Sequence, residues 1–235
     1  MDRTKTYIKD LDKVLNGGLP KDNLILLSGS AGSGKTTLAM QFLFGGAVNE
    51  GKTAMLFTLN EQEQKIAENF RQYKFFDETL IKSNKVIFID IREIVPSSNS
   101  GKPTFYSEQV LNMFYEQIDM YKPERIVIDS ITAICNRLDD ENNIRKFLFD
   151  LSSMLLLKKC SAMIISEVDP SSRKYSNFGV EEFICDGIIY LSHVDKNNRL
   201  KKSLQVVKMR GTAHSEEQFF LSIEEDGIHL LKLNI

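Results

Sequence analysis

Gly29-Ser30-Ala31-Gly32-Ser33-Gly34-Lys35-Thr36 is an unbroken G-x-x-x-x-G-K-T. Glycines let successive backbone N–H groups turn toward one point, the Lys35 ammonium is a mobile charge for β- and γ-phosphates, and the Thr36 hydroxyl is a hard oxygen for Mg²⁺. Before the string, residues 24–27 (Leu-Ile-Leu-Leu) are a short apolar run; after it, residues 37–44 carry apolar side chains at helical spacing. Strand, loop and helix thus follow in the order a triphosphate cradle requires, which a chance glycine-rich turn does not supply. The loop from Ser30 through Thr37 is therefore expected to bind ATP, with Thr36 as a Mg²⁺ ligand. Pro20 closes the turn at Gly17 and Gly18, four residues ahead of the strand.

The rest of the chain extends the same pattern. Strand-like runs at residues 52–59, 85–90, 125–129 and 162–166 alternate with helical patterns at 61–73, 106–121 and 142–157. Alternation of this kind predicts an α/β fold with a mostly parallel central sheet flanked by helices. After residue 186 come 187–191, 200–209, 217–223 and 228–233, strand-like runs without intervening helices. They predict a C-terminal antiparallel extension of that sheet. Residues 96–103 and 169–179 are rich in turn formers and predict long loops.

Composition narrows the function classes. With 235 residues, 42% apolar and 26% charged, the chain is long enough for one α/β domain over residues 1–235. A net charge of -2 gives no global attraction to nucleic acid or anionic membrane. No apolar run approaches the roughly 18 residues of a membrane span, and the N-terminus lacks the apolar core of a secretion signal, so a cytoplasmic protein is expected. Cys135, Cys160 and Cys185 are far apart in sequence and lack metal-binding spacing, which predicts reduced, mostly buried thiols.

A hydrolysing site also needs a second carboxylate on the metal side and a group that orients water. Residues 125–129 (Arg-Ile-Val-Ile-Asp) are an apolar strand ending in Asp129, which suits a Mg²⁺ partner acting through water. Ser130 stands where many such ATPases place a glutamate. Glu61, just past the second strand, is the candidate for water activation, because a parallel sheet gathers its carboxyl ends over the phosphate loop. The alternative for Glu61 is an exposed first-turn residue favoured by the helix dipole.

With these motifs stand Gly17-Gly18-Leu19-Pro20, Ile128-Asp-Ser-Ile-Thr132, Gly179-Val-Glu-Glu-Phe183 and Lys208-Met209-Arg210-Gly-Thr212-Ala-His214. Together they resemble KaiC-type ATPases of the RecA superfamily, over roughly residues 6–233. The resemblance implies a RecA-like P-loop NTPase domain and a homo-oligomer, a hexameric ring with nucleotide at its subunit interfaces. It implies that the Lys208-Met209-Arg210 segment reaches a neighbour's nucleotide, with Lys208 and Arg210 toward its γ-phosphate, and Thr212 and His214 near its sugar and base. Lys208 and Arg210 also alternate along a strand, as residues of a solvated face do.

Two departures from the family follow. Asn60-Glu61 replaces a pair of glutamates, which points to slow or absent turnover. Glu181-Glu182-Phe183 resembles the hydrolysing first repeat of two-repeat members, so no autophosphorylation is expected there. The leading expectation is a nucleotide-dependent oligomeric switch acting on an unidentified protein partner; the apolar residues of the helices at 106–121 and 142–157 are expected in the core first, with a docking surface as the alternative. One alternative is a recombination or repair ATPase that binds single-stranded DNA through Arg173, Lys174, Tyr175 and Phe178. The other is an ATP-binding module that does not turn over.

Overall fold

The computed structural model describes residues 2–59, 61–92, 107–138, 140–172, 174–196 and 198–232. The chain opens with β1 (Arg3–Thr4), α1 (Lys9–Val14) and β2 (Leu19–Pro20), then runs through β3 (Leu24–Gly29), α2 (Lys35–Glu50), β4 (Ala54–Thr58), α3 (Glu63–Phe70), α4 (Glu78–Lys82) and β5 (Val86–Asp90). There follow α5 (Ser107–Tyr121), β6 (Arg125–Asp129), α6 (Ile131–Cys135), α7 (Glu141–Leu157), β7 (Ser161–Glu167), α8 (Glu181–Ile184), β8 (Gly187–Lys196), β9 (Arg199–Met209), β10 (Gln218–Glu224) and β11 (Gly227–Lys232).

Nine strands form one sheet in the order β11-β10-β9-β8-β3-β7-β6-β4-β5, and β1 pairs with β2 in a separate ribbon. The predicted parallel core and antiparallel extension are both present, with one boundary moved. β8 lies parallel to β3 and antiparallel to β9, so the antiparallel part begins with β9 and not at residue 187. The sequence hides this because β8 follows the four-residue α8 in place of a full crossover helix.

Every residue of β3, β4 and β6 is buried, as expected for strands covered on both faces. Alternation along β3 sends Ile25 and Leu27 to a core shared with α1, α2 and α3, and Leu24 and Leu26 to a core shared with α5, α6 and α7. The three cysteines are free and buried, and burial pushes the Cys160 thiol up to about 12. Five short elements (β1, β2, α4, α6 and α8) span five residues or fewer, too short for a periodic sequence signal.

Arg125 places a charge within this apolar interior. It opens β6 at 1% exposure, donates to the backbone carbonyls of Lys5 (2.7 Å) and Phe42 (3.0 Å), and pairs with Glu50. The Phe42 ring lies 4.7 Å from the guanidinium carbon. One buried cation thus ties the N-terminal segment to α2 and to the sheet. Arg125→Ala strips this donor from two backbone carbonyls and from Glu50, and urea denaturation is expected to show a loss of about 3–5 kcal/mol.

Candidate functional site

The loop after β3 is shaped by glycines at the two positions where a side chain is excluded. Gly29 has φ +149°, and a Cβ there would run into the Leu191 carbonyl of β8. Gly34, with φ +104°, caps the start of α2. Between them Ser33 turns inward: it is fully buried, and its Oγ donates to the Ser30 carbonyl at 2.8 Å. Ser30 meets His193 of β8, Oγ to Nδ1 at 3.2 Å. Ala31, Gly32, Gly34, Lys35, Thr36 and Thr37 line a cleft of about 530 Å³.

Lys35 is 7% exposed and folded back on the loop, its Nζ donating to the carbonyls of Gly29 (2.9 Å) and Ser30 (2.8 Å). Burial lowers its pKa, and the charges of Glu167 and Asp129 oppose that shift. An ammonium satisfied only by two carbonyls of a flexible-φ loop is ready to exchange them for phosphate oxygens.

Asp129 ends β6 at 9% exposure, and Thr36 Oγ1 donates to its Oδ2 at 2.8 Å. Burial raises the Asp129 pKa, while the Thr36 hydrogen bond and the Lys35 charge lower it. A hydroxyl and a carboxylate held together beside the loop are two hard oxygen donors of the kind Mg²⁺ prefers. The donor set therefore fits the metal. Thr36 would hold it directly and Asp129 through water.

Glu61 lines the same cleft, and Asn69 of α3 donates to its Oε2 at 3.3 Å. Asn60 lies outside the described residues. Glu167, at the end of β7, also lines the cleft, and sequence reasoning missed it. The predicted strand stopped at residue 166, one short of it. β7 pairs with β3 so that Glu167 stands level with Gly29, which brings its carboxylate beside the loop. The far wall of the cleft is Ile66 and Phe70 of α3, Tyr73 just beyond that helix, and Ile223 from β10. No spacing rule in the sequence joins those elements.

Lys208 and Arg210 do not line this cleft. Lys208 Nζ donates to the carbonyls of Glu182 (2.9 Å) and Cys185 (2.7 Å), and Arg210 donates to Asp186 (3.0 Å) and to the carbonyl of Phe183 (3.1 Å). The segment around α8 therefore holds both cations, and two sequence motifs far apart in the chain meet here. Burial and the Arg210 charge lower the Lys208 pKa. Met209 pairs with Gly187, and Gly187 with Ile25, four residues before Gly29. The cation pair thus sits about 13 Å down the sheet from its own phosphate loop. Thr212 accepts from Arg3, and His214 Nδ1 meets the Ser215 carbonyl at 3.0 Å, both also outside the cleft.

In the 169–179 segment Lys174 is exposed, and Arg173 lies outside the described residues. Tyr175 and Phe178 pack against the core, with Tyr175 edge-on to Tyr190 at 5.4 Å. Neither ring is a free platform for stacking a base. On the outer faces of α5 and α7, Met120, Phe149, Leu156 and Leu157 are exposed. No helix of the described residues is long and apolar enough to cross a membrane.

Comparison with known proteins agrees with this architecture. A family model described as "ATPase: KaiC" matches residues 4–234. The circadian clock oscillator protein KaiC 1 of Synechocystis sp. is 28% identical over 231 residues, covering 98% of this chain and 44% of that protein. KaiC of Synechococcus elongatus is 27% identical over 231 residues, with 98% and 44% covered. The chain thus spans less than half the length of these relatives. A crystal structure of a KaiC-like protein from the hyperthermophilic archaeon Pyrococcus horikoshii superposes with a TM-score of 0.84 at 31% identity, covering 97% of this chain and 98% of that one. The chain belongs to the KaiC family of RecA-superfamily ATPases.

Proposed function

We propose that this protein binds and hydrolyses Mg·ATP as a subunit of a homo-oligomeric ring, a hexamer, in which Lys208 and Arg210 of one subunit complete the site of the next. One observation carries the reading: both cations are fixed about 13 Å along the sheet from their own phosphate loop, beyond the reach of either side chain. Cations so placed serve phosphate chemistry only if another copy presents its loop to them. Thr212 and His214 extend the same strand end toward that neighbour's sugar and base.

Within the cleft, the loop N–H groups and Lys35 bind the β- and γ-phosphates, and Thr36 and Asp129 hold the metal. Mg²⁺, when bound, neutralises charge on the phosphoryl oxygens. Glu61, steadied by Asn69, takes a proton from the attacking water. The water oxygen forms a bond to the γ-phosphorus, the bond to the bridging oxygen breaks, and its electron pair leaves with ADP. Residues 181–183 carry no hydroxyl, so that segment offers no oxygen acceptor for the γ-phosphoryl group.

Nucleotide state then sets the shape of the ring and its hold on a protein partner. Sedimentation with and without Mg·ATP, run beside steady-state phosphate release, tests the reading. A nucleotide-stabilised oligomer that releases phosphate is expected, with Glu61→Gln about 10²-fold slower. A monomer with undiminished turnover would overturn the shared site. Nucleotide binding without phosphate release would leave an assembly module in place of an enzyme.

A further inference from the structure

The cleft contains a carboxylate that the phosphate loop, the metal pair and Glu61 do not account for. Glu167 is exposed at the end of β7, and among the described residues its carboxylate has no hydrogen-bond or ion-pair partner. Its backbone is fixed on both sides: its N–H donates to Thr132 Oγ1 at 3.0 Å, and the next N–H, of Val168, donates to the Gly29 carbonyl at 3.1 Å. A negative charge held beside a cradle for a polyanion weakens binding of that polyanion. Such a position is favourable only where the carboxylate meets a hydrogen donor standing between it and the phosphates.

Sheet order sharpens the point. β7 is the immediate neighbour of β3, whereas β4, which leads to Glu61, is three strands away. At about 4.8 Å per strand, Glu167 stands roughly 5 Å to the side of the loop strand and the end of β4 roughly 14 Å. The two carboxylates enter the cleft from the ends of two different strands on the same flank of the loop strand, Glu167 nearer to it and Glu61 farther out. Glu61 alone could accept one hydrogen of a water and would leave the other undirected.

We propose that Glu167 is a second catalytic carboxylate of the hydrolytic site, accepting one hydrogen of the attacking water while Glu61 removes the other as a proton. With both hydrogens engaged, the lone pair of that water faces the γ-phosphorus. The proton passes to Glu61, the new O–P bond forms, and the bond to the ADP oxygen breaks with its electrons. Glu167 is unchanged at the end of the cycle. The carboxylate missing at residue 60 is thereby replaced from another strand. The charge of Glu167 also helps Lys35 keep its proton despite burial, which preserves the cation for the phosphates. This inference rests on the hydrolytic reading above.

The test compares wild type, Glu167→Gln, Glu167→Asp and Glu61→Gln for ATP affinity by calorimetry and for kcat across pH. For Glu167→Gln the expected result is a kcat about 10²-fold lower, with ATP bound as tightly as by wild type or more tightly. Glu167→Asp should recover part of the rate. The acid limb of the kcat–pH profile should lose one ionisation in Glu167→Gln, which a merely structural role would not produce. Wild-type kcat in Glu167→Gln would overturn the assignment alone. Loss of ATP binding in step with activity would overturn it in favour of a loop-supporting role. No phosphate release by the wild-type protein would overturn both this assignment and the hydrolytic reading beneath it.

Discussion

Arg210→Ala should lower kcat by about 10³-fold or more while ATP binding by each subunit stays close to wild type, the range seen when a guanidinium that contacts the transferring phosphoryl group is removed. The effect is large because the charge gathered on the equatorial oxygens needs a planar, bidentate donor at that moment. Binding should be spared because, in the proposed shared site, the ground-state phosphates would be held by a different subunit's Lys35 and loop N–H groups. An Arg210→Lys variant keeps the charge and loses the fork, so it should recover only a fraction of the rate. The decisive measurement uses two defective proteins. Arg210→Ala retains its phosphate loop, and Lys35→Ala retains its Arg210; each alone is inactive. When equal amounts are mixed and allowed to exchange subunits, about a quarter of interfaces join an intact loop to an intact arginine, and activity should return at that level. Failure of the mixture to regain activity, with exchange shown independently, would place Arg210 outside a shared site.

The phosphate loop and Asp129 were legible because each is a short string whose flanks report its own secondary structure. Strand β3, the loop and α2 are contiguous, and β6 is an apolar run that stops at the carboxylate. Glu167 was not legible: a single glutamate after an apolar strand says nothing until the β3–β7 register sets it level with Gly29. The union of residues 181–186 with Lys208 and Arg210 was hidden for the same reason. It depends on backbone carbonyls around a four-residue helix, and carbonyls leave no trace in residue identity. Tyr175 and Phe178 show the converse. Their spacing beside basic residues suggested a stacking surface, but packing against the core uses both rings. The parallel placement of β8 likewise turned on which strand it met, not on its own composition.

Asp129→Asn should separate stability from activity. The carboxylate is 9% exposed, and burial is the largest influence on it, raising its pKa above the ordinary value of 3.8. The folded protein without metal therefore binds more protons at this site than the unfolded chain does between 3.8 and the higher folded value. Its stability contribution is greatest below 3.8 and is lost as pH rises through the folded pKa, because above that point folding must bury a charge. Asparagine removes that cost and still offers an oxygen to the Thr36 hydroxyl. Metal-free Asp129→Asn should then be more stable than wild type at neutral pH by roughly 0.5–2 kcal/mol, the range for relieving a strained functional site. The difference between the two proteins should shrink as pH falls toward 3.8, since protonation gives wild type the same relief. Hydrolysis should move the other way. Removing a metal-side carboxylate forfeits several kcal/mol of transition-state stabilisation, a loss of about 10³-fold in Mg²⁺-dependent kcat. Added Mg·ATP should stabilise wild type strongly and Asp129→Asn much less, reversing their order of melting. A variant less stable than wild type without metal would show that the Lys35–Asp129 attraction outweighs burial, and that the carboxylate supports the empty loop.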